Sequence, residues 1–286
     1  MQTRRIGDVR VSAIGLGAMP MSIEGRPDEG RSIATIHAAL DAGVTLIDTA
    51  DAYHLKQGEV GHNETLIARA LVTYGGDTSD VLIATKGGHL RPGGGSWTLN
   101  GSPSHLKDAC EASLKRLGVD AIGLYQYHRP DPRVPYAESI GAIRDLLDEG
   151  KIRMAGISNA DPAHIRQAND ILGGRLVSVQ NQFSPAFRSS ERELRLCDQL
   201  GVAFLPWSPL GGISRAGDLG AAHTGFNRVA QVHGVSPQRV CLAWMLARAP
   251  AVIPIPGSSR PGTIRDSAAA PDLILTDDEL AELDAG

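Results

Sequence analysis

Asp48, Tyr53, Lys86 and His128 are side chains whose types, brought together, could move a proton to or from an oxygen. A phenol and an imidazole can each donate or accept a proton. An ammonium can tune a neighbouring phenol, and a carboxylate can hold that ammonium in place. Each of the four lies at, or just past, the end of a short apolar run. Val44-Thr-Leu-Ile runs into Asp48, with Tyr53 on the loop beyond; Val81-Leu-Ile-Ala-Thr ends in Lys86; and Ile122-Gly-Leu-Tyr-Gln-Tyr ends in His128. Residues so far apart in sequence meet only if the fold collects strand ends in one place. In a barrel of parallel strands the C-terminal strand ends share one face, and that face carries the active site.

The elements needed to position them can be read along the chain. Strand candidates end near Gly17, Asp48, Lys86, His128, Ser158, Gln180, Trp207 and Ile255. Helical patterns lie between them. Leu106, Cys110, Leu114 and Leu117 repeat at helical spacing after Ser102-Pro103 and stop at Gly118. Ile140, Ile143 and Leu147 do the same before Gly150, and Ser236-Pro237 opens a helix carrying Val240, Ala243, Trp244 and Ala247. Thr276 and Glu279 have the spacing of a capping box. Strands alternating with helices imply βαβ units, so the predicted fold is an α/β (β/α)8 TIM barrel. One domain over 1–286 is expected, with an N-terminal β-hairpin turning at Gly7-Asp8. The segment from His89 to Pro103, with Gly93-Gly94-Gly95 and Trp97, reads as a long loop on the active face and a candidate lid.

With 42% apolar and 21% charged residues, the composition is that of a globular protein. A formal charge of −4 without a Lys/Arg run argues against nucleic-acid or acidic-membrane partners. No stretch of about 20 apolar residues suggests a membrane span. Cys110, Cys197 and Cys241 are too few and too scattered for a disulfide framework or a zinc site. Arg4-Arg5 does not start a twin-arginine signal, because Asp8 and Arg10 interrupt the apolar region it would need. A cytoplasmic location is therefore expected. Oligomeric state is left open, and a monomer is compatible with everything above.

Beyond these patterns the sequence resembles the aldo-keto reductases along nearly its whole length. The resemblance rests on Ile47-Asp-Thr-Ala-Asp-Ala-Tyr53, Thr85-Lys86, Leu124-Tyr-Gln-Tyr-His128, Gly150-Lys-Ile-Arg153, Gly156-Ile-Ser-Asn159, Val179-Gln-Asn-Gln182, Trp207-Ser-Pro-Leu-Gly211 and Ile253-Pro-Ile-Pro-Gly257, in that order. It implies reduction of aldehydes or ketones to alcohols by hydride transfer from NADPH, with a small-molecule carbonyl as substrate. Tyr53 would be the general acid, its pKa lowered by Lys86; Asp48 would pair with Lys86; and His128 would orient the carbonyl oxygen. The resemblance also implies cofactor contacts. Ser158, Asn159 and Gln180 would hold the carboxamide, and Trp207 would stack on the nicotinamide. Ser208, Leu210 and Gly211 would lie at the pyrophosphate, with Gly17 and Met19 nearby and Asp48 at the reacting end. Gly257, Ser258, Ser259 and Arg260 would receive a 2′-phosphate, which suits the planar fork of arginine.

The sequence departs from the family pattern at Asp266-Ser267, where Glu then Asn is common at the adenine end, and at Gly123, where an acidic residue is common. A chain ending at Gly286 is expected to lack the long C-terminal loop that shapes the substrate pocket in many relatives. No metal site is expected, since a metal-dependent barrel hydrolase would need a His/Asp/Glu set at the strand ends, and His54, His62 and His89 lack ligand spacing. Trp97 could line the substrate pocket or pin its own loop. The alternative function is a cofactor-binding regulatory subunit of the same fold with little turnover. The substrate itself would be chosen by loops 89–103 and 213–226.

Overall fold

The computed structural model describes residues 1–93 and 95–285. Seven parallel strands follow one another around a curled sheet: β1 (Leu16–Gly17), β2 (Leu46–Asp48), β3 (Leu82–Gly87), β4 (Ile122–Tyr127), β5 (Ile152–Ser158), β6 (Leu176–Gln180) and β7 (Ala203–Phe204). Segment 252–257 fills the eighth place, with Val252 bridging Phe204 on one side and Gly257 bridging Gly17 on the other. The amides of Ile253 and Ile255 donate to Phe204 and Pro206, while the carbonyls of Pro254 and Pro256 accept from Gly15 and Gly17. Prolines thus occupy the positions whose N–H groups would have faced β1. That seam carries half its rungs and reads as bridges rather than as a ladder. The predicted (β/α)8 barrel is the fold.

Helix starts and stops follow the sequence signals. In Pro103–Leu117 the Ser102 hydroxyl accepts from the His105 amide, and Gly118 takes a left-handed φ of 68° after the last turn. Ser236 caps Pro237–Leu246 through the Arg239 amide at 3.0 Å. Thr276 and Glu279 make the reciprocal capping box of Asp277–Ala285. Each such cap contributes about 1 kcal/mol.

The N-terminal hairpin pairs Thr3–Ile6 with Val9–Ser12 around Gly7, at φ 54°. Its Ile6 and Val11 are fully buried in one cluster with Leu46, Ala84, Leu124, Ala203 and Ile253 from the barrel strands. A Cβ on Gly7 would meet Val177 and Met154, near the starts of β6 and β5, so the hairpin stoppers the N-terminal end of the barrel. Burying those two side chains is worth about 1.5–3 kcal/mol each. A cavity of about 1390 Å³ remains beside the hairpin at that end, bordered by Thr45, Leu82, Ile122, Ile152 and Leu176 near the strand starts, while the four candidate side chains lie at the opposite end.

The segment from His89 to Pro103, expected to be a long loop, is over most of its length an antiparallel hairpin, His89–Gly93 with Ser96–Leu99. Gly94 and Gly286 lie outside the described residues. Arg91 is what changes the outcome. Its buried guanidinium donates to the His54 carbonyl, pairs with Glu24, and lies 4.8 Å from the Trp97 ring. His54 and Glu24 are distant in sequence, so nothing local announces them.

Candidate active site

Lys86, on β3, is fully buried, and its ammonium makes three contacts: Asp48 Oδ2 at 2.7 Å, the Thr49 carbonyl at 2.7 Å and the Tyr53 hydroxyl at 3.1 Å. Asp48 ends β2, and its other carboxylate oxygen accepts from Gln180 Nε2 at 2.7 Å. The Asp48 carboxylate is therefore held on both oxygens, and Lys86 can present its remaining proton only to the phenol. His128, just beyond β4, lies edge-on to Tyr53 with ring centroids 5.8 Å apart. The four side chains picked out from the sequence thus form one cluster at the C-terminal strand ends. Their charges are shut away from solvent, where an unpaired charge would cost far more than a matched pair.

Burial sets the electrostatics. The Tyr53 phenol is pushed above its ordinary pKa by desolvation; Lys86 pulls it down but does not win. This reverses the expected direction and keeps the phenol protonated. Burial opposes the charge on Lys86, but Asp48 and Tyr53 more than restore it, so the ammonium persists. Desolvation, with Lys86, His89 and Arg129 nearby, drives His128 well below the ordinary histidine range. His89 falls to about 4 for the same reasons, burial first and then Arg129 and Lys86. Both imidazoles are neutral at pH 7, and a neutral imidazole can still donate one hydrogen bond. Behind the cluster, the buried Glu64 accepts from Thr85 and from Arg116 at 2.6 Å, tying helix His62–Thr73 to β3.

The cluster opens into a cavity of about 570 Å³. Gly17, Met19, Asp48, Ser158, Asn159, Gln180, Trp207, Ser208, Leu210 and Gly257 all line it, as do Tyr53 and His128. Asn159 donates to the His128 carbonyl at 3.0 Å and to Ser158, and accepts from Arg129 at 2.9 Å. Asn159 (φ 57°) and Ser208 (φ 49°) are the non-glycine residues with left-handed backbone among the described residues, and both stand in this wall. Such conformations cost about 1–3 kcal/mol and gather at functional sites. Gly211 is not cavity-lining, although its neighbours Leu210 and Gly212 are. Ser258, Ser259 and Arg260 are not cavity-lining. Ser258 is buried with its hydroxyl on the Arg260 backbone, and exposed Arg260 stands at the N-terminus of Pro261–Ala268. Ser258, Ser259 and Arg260 thus lead into a helix N-terminus just past Gly257, a setting suited to a phosphate. Asp266 is committed elsewhere, to Ser236 and to Arg239 at 2.7 Å.

Comparison with known proteins places this geometry. The sequence model of the aldo/keto reductase family matches residues 13–286. The chain belongs to the aldo/keto reductase family. An uncharacterised oxidoreductase of Schizosaccharomyces pombe is 35% identical over 99% of this chain and 89% of its own. A solved thermostable aldo-keto reductase, in complex with the inhibitor epalrestat, superposes with a TM-score of 0.84 at 28% identity, over 100% of this chain and 99% of that one. An aldo-keto reductase from Klebsiella pneumoniae in complex with NADPH gives 0.83 at 29%, over 99% and 94%.

As in any barrel, this aldo/keto reductase builds its pocket mouth from loops, and some wall residues escape a reading of strand ends. Ile23 and Glu24 come from the loop after β1, His89 and Trp97 from the pinned hairpin, Arg129 from the residue after His128, and Ile213 from one of the two segments expected to set specificity. Trp97 does both things left open for it: it lines the cavity, and it pins its own segment by packing across the hairpin on Arg91 and His89. Arg129 could have been found from its position alone, because a residue following a strand-end histidine must lie on the same face. Among the described residues no helix is long and apolar enough to cross a membrane, and no group of three His, Cys, Asp or Glu side chains could hold a metal ion.

Proposed function

We propose that this protein is an NADPH-dependent carbonyl reductase in which Tyr53 is the general acid. The observation that carries the reading is the Lys86 ammonium held between Asp48 and the Tyr53 hydroxyl, the two residues that line the cavity above it. The donor set fits a dinucleotide. Ser158, Asn159 and Gln180 offer amide and hydroxyl groups to a carboxamide, and Trp207 offers an aromatic face. Ser258, Ser259 and Arg260 offer a phosphate site past Gly257. When bound, NADPH supplies the hydride.

The chain's own residues do the rest. A carbonyl oxygen entering between Tyr53 and His128 finds two neutral donors. Tyr53 gives up its proton as negative charge grows on that oxygen. Lys86 stabilises the resulting phenolate, which is the state that burial alone disfavours. Asp48 keeps Lys86 charged and fixed, and Gln180 keeps Asp48 from turning. A reducing, cytoplasmic setting is consistent with three buried cysteines that form no disulfide.

The test is NADPH oxidation against a panel of aldehydes and ketones, with Tyr53→Phe in parallel and NADPH affinity followed by fluorescence. Loss of turnover by about 100-fold or more, with binding kept, is the expected outcome. A mutant that still turns over would sink the role of Tyr53. Tight NADPH binding without turnover on any carbonyl would instead favour a cofactor-binding subunit.

A further inference from the structure

Three cations stand in or directly behind the cavity wall: Arg129 lines it, while Lys86 and Arg91 lie behind lining residues that neutralise them. Lys86 pairs with Asp48 and Arg91 with Glu24. The third, Arg129, is half-buried, and its Nη2 donates to Asn159 Oδ1 at 2.9 Å. Among the described residues no carboxylate lies within 4.0 Å of its guanidinium. The nearest acidic residue in sequence, Asp131, is taken by Arg133 and by the Gly101 amide. The imidazoles facing this part of the cavity, His128 and His89, are neutral, so neither adds to nor offsets the charge. Asn159 uses one edge of the guanidinium and leaves further N–H donors toward the cavity.

We infer that Arg129 is an anchor for an anionic group on the substrate, so that the preferred substrates are aldehydes or ketones bearing a carboxylate. This rests on the carbonyl reductase reading above. The anchor adjoins His128 in the chain, so the anion binds within one small molecule's length of the carbonyl, in the same cavity. A partly desolvated arginine gains most from a carboxylate, which it can grip through two parallel hydrogen bonds. An uncharged substrate leaves the guanidinium with nothing in place of water. The chemistry is otherwise unaltered. The carbonyl takes up a hydride from NADPH and a proton from Tyr53, and the carboxylate neither gains nor loses a bond. Arg129 is thus a specificity residue, and its effect falls on the ratio between charged and uncharged substrates.

The experiment compares matched pairs: 4-formylbenzoate with 4-methylbenzaldehyde, and 4-oxobutanoate with butanal. Each is measured for kcat/KM in the native protein, Arg129→Gln and Arg129→Lys, alongside NADPH affinity. The native protein should favour the carboxylate of each pair by about tenfold or more, through KM. Arg129→Gln should bring that ratio toward one, and Arg129→Lys should restore part of it. Turnover of the uncharged aldehydes with no carboxylate preference would overturn this inference and leave the carbonyl reductase reading standing. So would a ratio unmoved by Arg129→Gln, or an effect of that change on NADPH affinity alone. Absence of turnover on every carbonyl would remove both.

Discussion

Replacing Lys86 by methionine should unfold the protein more readily, and replacing Asp48 in the same chain should undo much of the damage. Lys86 and the Asp48 side chain are almost wholly inaccessible, and their contact is 2.7 Å. Lys86→Met leaves the Asp48 carboxylate buried with Gln180 as its remaining donor; Asp48→Asn leaves an ammonium buried against the Thr49 carbonyl and a phenol. Each single change strands one charge, which costs about 3–5 kcal/mol. The double variant strands none. The amide oxygen that Asp48→Asn introduces can still accept from Gln180, and a methionine side chain has nearly the length of the lysine stem. Its cost should therefore be well below the sum of the two, giving a coupling of about 3 kcal/mol. Urea denaturation of the four proteins at pH 7 measures this without cofactor or substrate. Costs that add to within about 0.5 kcal/mol would refute the reasoning, because independent sites behave that way.

Other expectations follow from the same structure. A Cβ on Gly17 would lie 2.8 Å from the Ile255 carbonyl, so Gly17→Ala should destabilise by about 1–3 kcal/mol, and an unchanged melting temperature would contradict the closure described above. His89 has its folded pKa depressed to about 4, so between pH 6.5 and 4 the unfolded chain binds a proton that the native one refuses. Stability should fall as pH drops through that window, and His89→Gln should flatten the fall; equal slopes in acid denaturation would remove His89 as a cause. Thr85→Val should weaken the seat of Glu64, lowering stability by about 1–3 kcal/mol through an unpaired buried carboxylate oxygen, and a thermal melt superimposable on the native one would deny that.

What can be read in the sequence is whatever has a local cause. The caps at Ser102 and Ser236, the left-handed Gly7 and Gly118, and apolar runs that stop at Asp48 or Lys86 all act within a few residues. The barrel and the four-residue cluster follow from them. The hairpin 89–99 escapes such a reading because its hold on the barrel is Arg91 reaching back to Glu24 and His54. The direction of the Tyr53 shift escapes it because Lys86 is visible in the sequence and burial is not. Asp266, at the expected adenine end, turns away to Arg239 on another helix, a choice that only packing decides. Arg129 goes unnoticed beside His128 when the strand reading stops one residue too soon.

The proline pair in segment 252–257 has a bearing on how the chain reaches its final form. A barrel has no free edge once closed, but until the last strand docks, both margins of the sheet are exposed to other chains. Pro254 and Pro256 remove the outward donors from the last strand on the side that waits for β1. A stray strand from another molecule finds half its rungs missing there, whereas β1 arrives with Gly15 and Gly17, whose amides need only the carbonyls that remain. The same two residues that thin the seam therefore act as a guard against mispairing between chains while the ring is still open.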